Sequence, residues 1–234
     1  MNTTYLASPI LQEPFVQNAY EHFYWTNNKL IIGIDEVGRG ALAGPLVVSA
    51  AILPTDTHAP FLKDSKILTD NQKLQAYKWL VENALFQSAF LSAAYVDTHG
   101  IYQATLMGMR KAYYGLVSQL SLNQPCGLVL VDAMPLRLPE GHPPVVSLIK
   151  GESKSISIAA ASIIAKVTRD ELMKRMALYI PHYDFHKNKA YGTPVHCAQL
   201  VARGPSIVHR STFIKNIIQG NSDEFIDRQT SLCS

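Results

Sequence analysis

The chain has 234 residues, of which 47% are hydrophobic and 17% charged, and 21 Lys and Arg set against 18 Asp and Glu give a formal net charge of +3. That length supports one substantial core, and a mean hydropathy of +0.04 argues against both a highly charged disordered chain and an integral membrane protein. The apolar stretches 42–53 and 156–167 are too short, or too interrupted by Gly, Pro and Ser, to span a bilayer, and the first 15 residues lack the features of a secretory signal. The spacing predicts an amphipathic helix over 13–28, then an apolar, β-branched strand over 30–36 that ends in Asp35 and Glu36 and leaves its sheet through Val37-Gly38-Arg39-Gly40. A second strand follows over 46–53 and a proline-containing loop over 54–66. A helix capped by Thr69 or Asp70 then runs to about 86, with a third strand over 88–96. A long helix over 98–120 precedes two apolar strands, 128–132 and 145–149, of the kind that suits buried parallel pairing. Residues 153–180 read as a helix with Ile156, Ala160, Ile163 and Val167 along its core stripe. The order predicts an α/β fold with a mixed five-stranded sheet covered by helices: a short helical extension over 1–28, a main domain over 29–216, and a polar tail over 217–234 that frays.

Charge is unevenly spread. Across residues 150–215, 11 Lys and Arg face 4 acids (Glu152, Asp170, Glu171 and Asp184), a surplus of +7 that leaves −4 for the rest of the chain. A basic region of this kind suits a phosphate-binding surface, since Lys and Arg supply most nonspecific affinity for nucleic acid. An ordinary solvated helix face has the same composition.

Asp35 and Glu36 end the first strand, Asp132 ends the fourth, and Glu152 stands before the long helix. Hard divalent cations take oxygen ligands and keep several waters, so a few carboxylates plus a substrate phosphate make a suitable site. Neighbours on a regular strand point to opposite faces, so Asp35 and Glu36 converge only if the strand bends or the longer Glu reaches around. Spacing alone leaves this constellation weak.

The segment Gly33-Ile34-Asp35-Glu36-Val37-Gly38-Arg39-Gly40-Ala41-Leu42-Ala43-Gly44-Pro45 resembles the N-terminal signature of the ribonuclease HII family. Leu62-Lys63-Asp64-Ser65-Lys66, Val131-Asp132, Lys150-Gly151-Glu152-Ser153-Lys154, the run 158–170, Tyr191-Gly192-Thr193 and His209-Arg210 resemble further blocks in the family's order. The resemblance implies a ribonuclease H-like fold, with Asp35, Glu36, Asp132 and Glu152 holding two Mg²⁺ or Mn²⁺ ions about 4 Å apart for phosphodiester hydrolysis. It implies cleavage of RNA–DNA hybrids and of duplex DNA carrying ribonucleotides, leaving a 3′-hydroxyl and a 5′-phosphate, by a monomer that removes misincorporated ribonucleotides; the missing secretory signal and the scattered cysteines point to a reducing cytoplasm. It further implies that Gly38, Arg39 and Gly40 read the ribose 2′-hydroxyl through their backbone, that Tyr191 meets the RNA–DNA junction, and that Ser65, Lys66 and Lys154 touch phosphates.

Three positions depart from the family pattern: Glu152 replaces the usual Asp and lengthens the arm by about 1.5 Å, Asn188 stands where His is common, and Ala190 where Gly is common. A backbone that needs positive φ would strain Ala190. Asp170 is the rival fourth acid but reads as a cap or ion pair beside Arg169. The loop Gly38-x-Gly40 is not a dinucleotide motif, because Gly44 is one position too far and a strand follows. His182 and His186 have the spacing of a zinc pair but lack the metalloprotease glutamate, and read as surface residues. The three cysteines, Cys126, Cys197 and Cys233, are odd in number and far apart; Cys126 has no identifiable base and reads as a small buried hydrophobe. The nearest alternatives are ribonuclease HIII, which usually carries an additional N-terminal domain and lacks the loop arginine, and a catalytically dead nucleic-acid-binding module.

Overall fold

The computed structural model describes residues 17–63, 65–120 and 125–219. Strands β1 (Leu30–Val37), β2 (Leu46–Ile52), β3 (Leu85–Leu91), β4 (Cys126–Asp132) and β5 (Val145–Leu148) form one sheet in the order β3-β2-β1-β4-β5. The first three make an antiparallel meander, whereas β4 pairs parallel to both β1 and β5. The sheet is therefore mixed and five-stranded, as the strand order predicts.

The helices are α1 (Ala19–Thr26), α2 (Asp70–Asn83), α3 (Ala93–His99), α4 (Ile101–Val117), α5 (Gly151–Lys154), α6 (Ile156–Tyr179), α7 (Phe185–Asn188), α8 (Pro194–Arg203) and α9 (Ser211–Ile218). Several boundaries differ from the sequence reading, each for a local reason. Thr69 caps α2 through a capping box with Gln72, but the helix stops at Asn83, because Leu85 and Phe86 pair with Ile52 and Ala51. Ser92 accepts from Tyr95 N and starts α3 where strand was expected. Gly100, at φ 75°, separates α3 from α4, so the long helix predicted from residue 98 begins at Ile101. Ser155 does the same between α5 and α6, with its hydroxyl accepting from Ile158 N. The N-terminal helix is shorter than predicted, and its expected start at 13–16 lies outside the described residues, as do Cys233 and nearly all of the expected tail.

Alternation along the strands assigns each residue to a face. Ile32 and Ile34 of β1, with Val129 and Val131 of β4, pack against Ala104, Met109 and Leu116 of α4. Ile31, Leu128 and Leu130 face the other way, onto Ile158 of α6. α6 is buried on all sides from Ile156 to Ala165, well beyond the single stripe expected, and Ile156, Ala160 and Ile163 meet α2 and its neighbours in a third cluster. Small residues permit this depth: Ser157, Ala159, Ala160 and Ala161 let the helix axis approach the sheet. At its start, α6 is met by α1, where Glu21 accepts from Ser155 Oγ and Ser157 N while Asn18 Oδ1 accepts from Ile156 N. Among the described residues, no helix is long and apolar enough to cross a membrane.

The closest approach is at Gly33, where a Cβ would stand 2.1 Å from the carbonyl carbon and oxygen of Ser157. Backbone cannot yield there, so Gly33→Ala is expected to destabilise the fold by about 3 kcal/mol, at the upper end of overpacking costs, measured as a lowered urea midpoint with unchanged slope.

Candidate active site

The last registered pair of β1 and β4 is Ile34↔Val131. One step further, Asp35 and Asp132 occupy adjacent parallel strands and, by parity with Gly33 and Leu130, the face covered by α6. β1 continues in regular pairing with β2 through Val37↔Val47, so it does not bend at the acids. Glu36 therefore starts from the opposite face and approaches the other acids at the strand end by its longer arm. Glu152 arrives from α5, at the head of α6.

Hydrogen bonds hold each carboxylate differently. Asp35 Oδ1 accepts from Glu36 N at 2.8 Å, and Asp132 Oδ1 accepts from Gly151 N at 2.7 Å, tying the end of β4 to α5. Glu152 Oε2 accepts from Ser65 N at 3.0 Å, Ser65 Oγ at 3.2 Å and Ser162 Oγ at 2.8 Å, while Lys66 Nζ lies 3.6 Å from Oε1. Ser65 is thus turned inward and supports a carboxylate. Arg39 Nη1 donates to Glu36 Oε1 at 3.2 Å, but Glu36 Oε2 is buried with no hydrogen-bond partner.

Crowded negative charge marks the cluster electrostatically. Burial, then Glu36, Glu152 and Asp132 in turn, raises the Asp35 carboxyl well above the usual range against a lowering contribution from Ser162. Burial raises Glu36 to about 7 despite the opposing Arg39 charge, with Asp132 and Glu152 adding to the rise. Among the described residues, no three His, Cys, Asp or Glu side chains converge tightly enough to form a ready-made cation cage. The donor set nonetheless suits a hard divalent ion that keeps waters and shares substrate oxygens: all four groups are carboxylates, one buried oxygen lacks a partner, and the charges repel one another.

Two arginines that the sequence reading left without a role shape the loop after β1. Arg169 and Arg210 are fully buried. Arg169 donates to the carbonyls of Ala43, Pro45 and Lys189, and Arg210 to those of Gly44 and Arg39. Burial lowers both guanidinium groups, Arg210 to about 9 with Arg169 contributing. Two of the 11 basic residues counted in the C-terminal region are consequently internal and add nothing to a surface for phosphates. Gly38 has φ 90°, and a Cβ there would meet Arg169 Nε at 2.3 Å. Gly40 differs, since a Cβ there would meet no protein atom within 4 Å.

Tyr191 is half-buried beside this loop, with Lys166 Nζ 5.9 Å and the Arg169 guanidinium 5.4 Å from its ring centroid. Ala190 adopts positive φ, 67°, so the condition under which it would be strained is met. Its carbonyl accepts from Leu42 N at 2.8 Å, joining the Tyr191 segment to the glycine loop. Lys154 is half-buried at the end of α5. Asp170 pairs with Lys166 at 3.1 Å, the ion pair expected of it. His182 and His186 are exposed, and His186 Nδ1 lies 3.1 Å from Asp184. Cys126 is half-buried in β4, with its thiol pushed up to about 11 by burial, which makes it a poor nucleophile.

A family model described as Ribonuclease HII matches residues 32–216. The Ribonuclease HII of Bacillus subtilis (strain 168) is 44% identical over 186 residues, covering 79% of this chain and 69% of its own. Ribonuclease H2 from Pyrococcus horikoshii OT3 superposes with a TM-score of 0.64 at 21% identity, over 84% of this chain and 99% of that one. Bst-RNase HIII, solved in complex with Mn²⁺, superposes with a TM-score of 0.65 at 21% identity, over 84% of this chain and 71% of that one. The two structures establish a shared ribonuclease H fold.

A carboxyl raised in the folded state loses its proton first in the unfolded chain. Stability from such a group is therefore highest below its ordinary value, 4.5 for Glu36, and falls as pH climbs through its folded value of about 7. In chelator, the native protein is expected to lose more melting temperature between pH 5 and pH 8 than Glu36→Gln, and Mn²⁺ is expected to restore it at pH 8 more than at pH 5. Equal slopes for the two proteins in calorimetry would show that the carboxylates do not repel as described.

Proposed function

Because the chain belongs to the ribonuclease HII family and is thereby a ribonuclease H nuclease, we propose that it hydrolyses the RNA strand of RNA–DNA hybrids and incises 5′ of ribonucleotides embedded in duplex DNA, leaving a 3′-hydroxyl and a 5′-phosphate. Asp35, Glu36, Asp132 and Glu152 are its catalytic residues and would hold Mg²⁺ or Mn²⁺, two ions in the substrate complex. When bound, the ions supply a water activated for attack and stabilise the charge on the leaving oxygen. The observation that carries this reading is the crowding of the buried Asp35 and Glu36 carboxyls with Asp132 and Glu152 where two adjacent parallel strands end.

The protein's own groups supply position. Asp35 and Asp132 are set by the sheet, and Glu152 is held by Ser65 and Ser162, which fix its carboxylate although the arm is one methylene longer than the family's usual Asp. Arg39 acts in two places at once: its side chain restrains Glu36, and its carbonyl is held by Arg210. Through it, the loop that reads the ribose 2′-hydroxyl is coupled to a catalytic carboxylate. The space beside Gly40 is where backbone approaches sugar, because nothing in the fold itself demands glycine there. Tyr191 stacks at the junction between ribonucleotide and deoxyribonucleotide, and exposed Lys66, with Lys154, meets phosphates.

Asp132→Asn is expected to lower Mg²⁺- or Mn²⁺-dependent cleavage of a labelled duplex carrying one ribonucleotide by about a thousandfold, equivalent to the several kcal/mol that a bound ion supplies, and Glu152→Gln to lower it severely as well. Native protein that cut neither this duplex nor a long hybrid with either ion would overturn the reading. Gly40→Ala is expected to leave the melting temperature within a degree or so yet reduce cleavage at least about tenfold; full activity in that variant would remove the glycine loop from ribose recognition.

A further inference from the structure

Behind Tyr191, two histidines face each other in an aromatic enclosure. His196, in the first turn of α8, is fully buried, and His209, just before α9, is 5% exposed. Tyr183 and Phe185 wall them in, with ring centroids 4.6 Å from His209 for Tyr183 and 5.4 Å from His196 for Phe185. Their Nε2 atoms are 3.0 Å apart, so one must donate and the other accept.

The backbone decides which. Ser206 N–H donates to His209 Nδ1 at 2.9 Å, and an amide donor cannot reverse its role, so that nitrogen carries a lone pair. The neutral His209 ring then holds its proton on Nε2 and donates to His196 Nε2. His196 in turn holds its proton on Nδ1 and donates to the Tyr191 carbonyl at 2.9 Å, an oxygen that also accepts from Thr193 N at 2.8 Å. A second proton on either ring would set two donors against each other, and burial holds both rings below the usual histidine value, His209 at about 4. The hydrogen-bond chain therefore has one direction, from His209 through His196 to Tyr191. It ends on the residue that follows Ala190, whose φ of 67° needs support from its surroundings.

We propose that His196 and His209 are positioning residues for Tyr191, a one-way relay that sets the height of its ring over the ribonucleotide junction. The inference rests on the role given to Tyr191 under Proposed function.

Nuclear magnetic resonance of the native protein labelled with ¹⁵N-histidine reads the tautomers directly. At pH 7, His196 is expected as the Nδ1–H form and His209 as the Nε2–H form, and the opposite pair would overturn the relay. Kinetics then test what the relay does. His196→Phe keeps a ring but no donor, and is expected to raise KM for duplex DNA carrying one ribonucleotide about tenfold, the effect of one lost hydrogen bond, with kcat on a long hybrid changed less than about twofold. His196→Asn keeps a donor at the δ position and is expected to recover most of the loss. Equal falls in kcat on both substrates for both variants, or native KM in both, would overturn the proposal. If His196→Phe does not fold, His209→Leu carries the same expectation, with His209→Gln as the variant that retains a donor toward His196. Tyr191→Ala separates the two readings: native KM in that variant removes the junction role from Tyr191, whereas a raised KM there beside native KM in the histidine variants removes only the relay.

Discussion

Two buried guanidinium groups hold the loop after β1 to the Tyr191 segment and the start of α9. Arg169 and Arg210 have no carboxylate within ion-pair distance among the described residues, and instead spend their donors on the carbonyls of Arg39, Ala43, Gly44, Pro45 and Lys189. Each such bond to a charged donor contributes about 1.5–3 kcal/mol, and each carbonyl left bare in its place would carry a desolvation cost. A connection of eight residues between β1 and β2 would otherwise have few internal partners, since it contains three glycines and a proline. The arginines convert it into a fixed surface, and Gly38 owes its identity to them, because any side chain there would collide with Arg169.

The carboxylate side obeys the opposite economy. There the groups are close, alike in sign and only partly satisfied, with Glu36 Oε2 unpaired and Asp35 raised by burial and then by its neighbours. Such an arrangement is unfavourable by itself and is tolerated where function requires it. The sheet enforces it: Asp35 and Asp132 cannot separate without breaking the β1–β4 pairing, which is continuous with the core against α4 and α6. Arg39 spans the two sides, and so a loop built from backbone and a site built from charge share one residue.

Much of this was legible from residues alone. The β-branched runs ending in Asp35 and Asp132 located the strands and their acids, and the resemblance to ribonuclease HII supplied the family. Helix ends were less legible, because Gly100 and Ser155 interrupt runs whose apolar spacing continues across them, and because Leu85 and Phe86 suit helix and strand equally until β2 pairs with them. The convergence of Glu36 could not be read from strand alternation, which sends it to the wrong face. Arg169 and Arg210 counted as surface charge in the sequence, and only their burial shows them to be internal. The inward turn of Ser65 onto Glu152 was equally illegible, because a hydroxyl in a loop segment gives no sign of which way it faces. At Ala190 the sequence posed the question of positive φ, because glycine is common there, and the backbone answers it with φ 67°.

Leu42 has a place in this network that its apolar side chain conceals. Its amide donates to Ala190 and its carbonyl accepts from the amide of Arg210, so three segments far apart in sequence meet on one backbone unit. In terms of amide hydrogen exchange, the protection of the Leu42 amide depends on the Tyr191 turn and that of the Arg210 amide on the glycine loop, a link across residues more than a hundred positions apart.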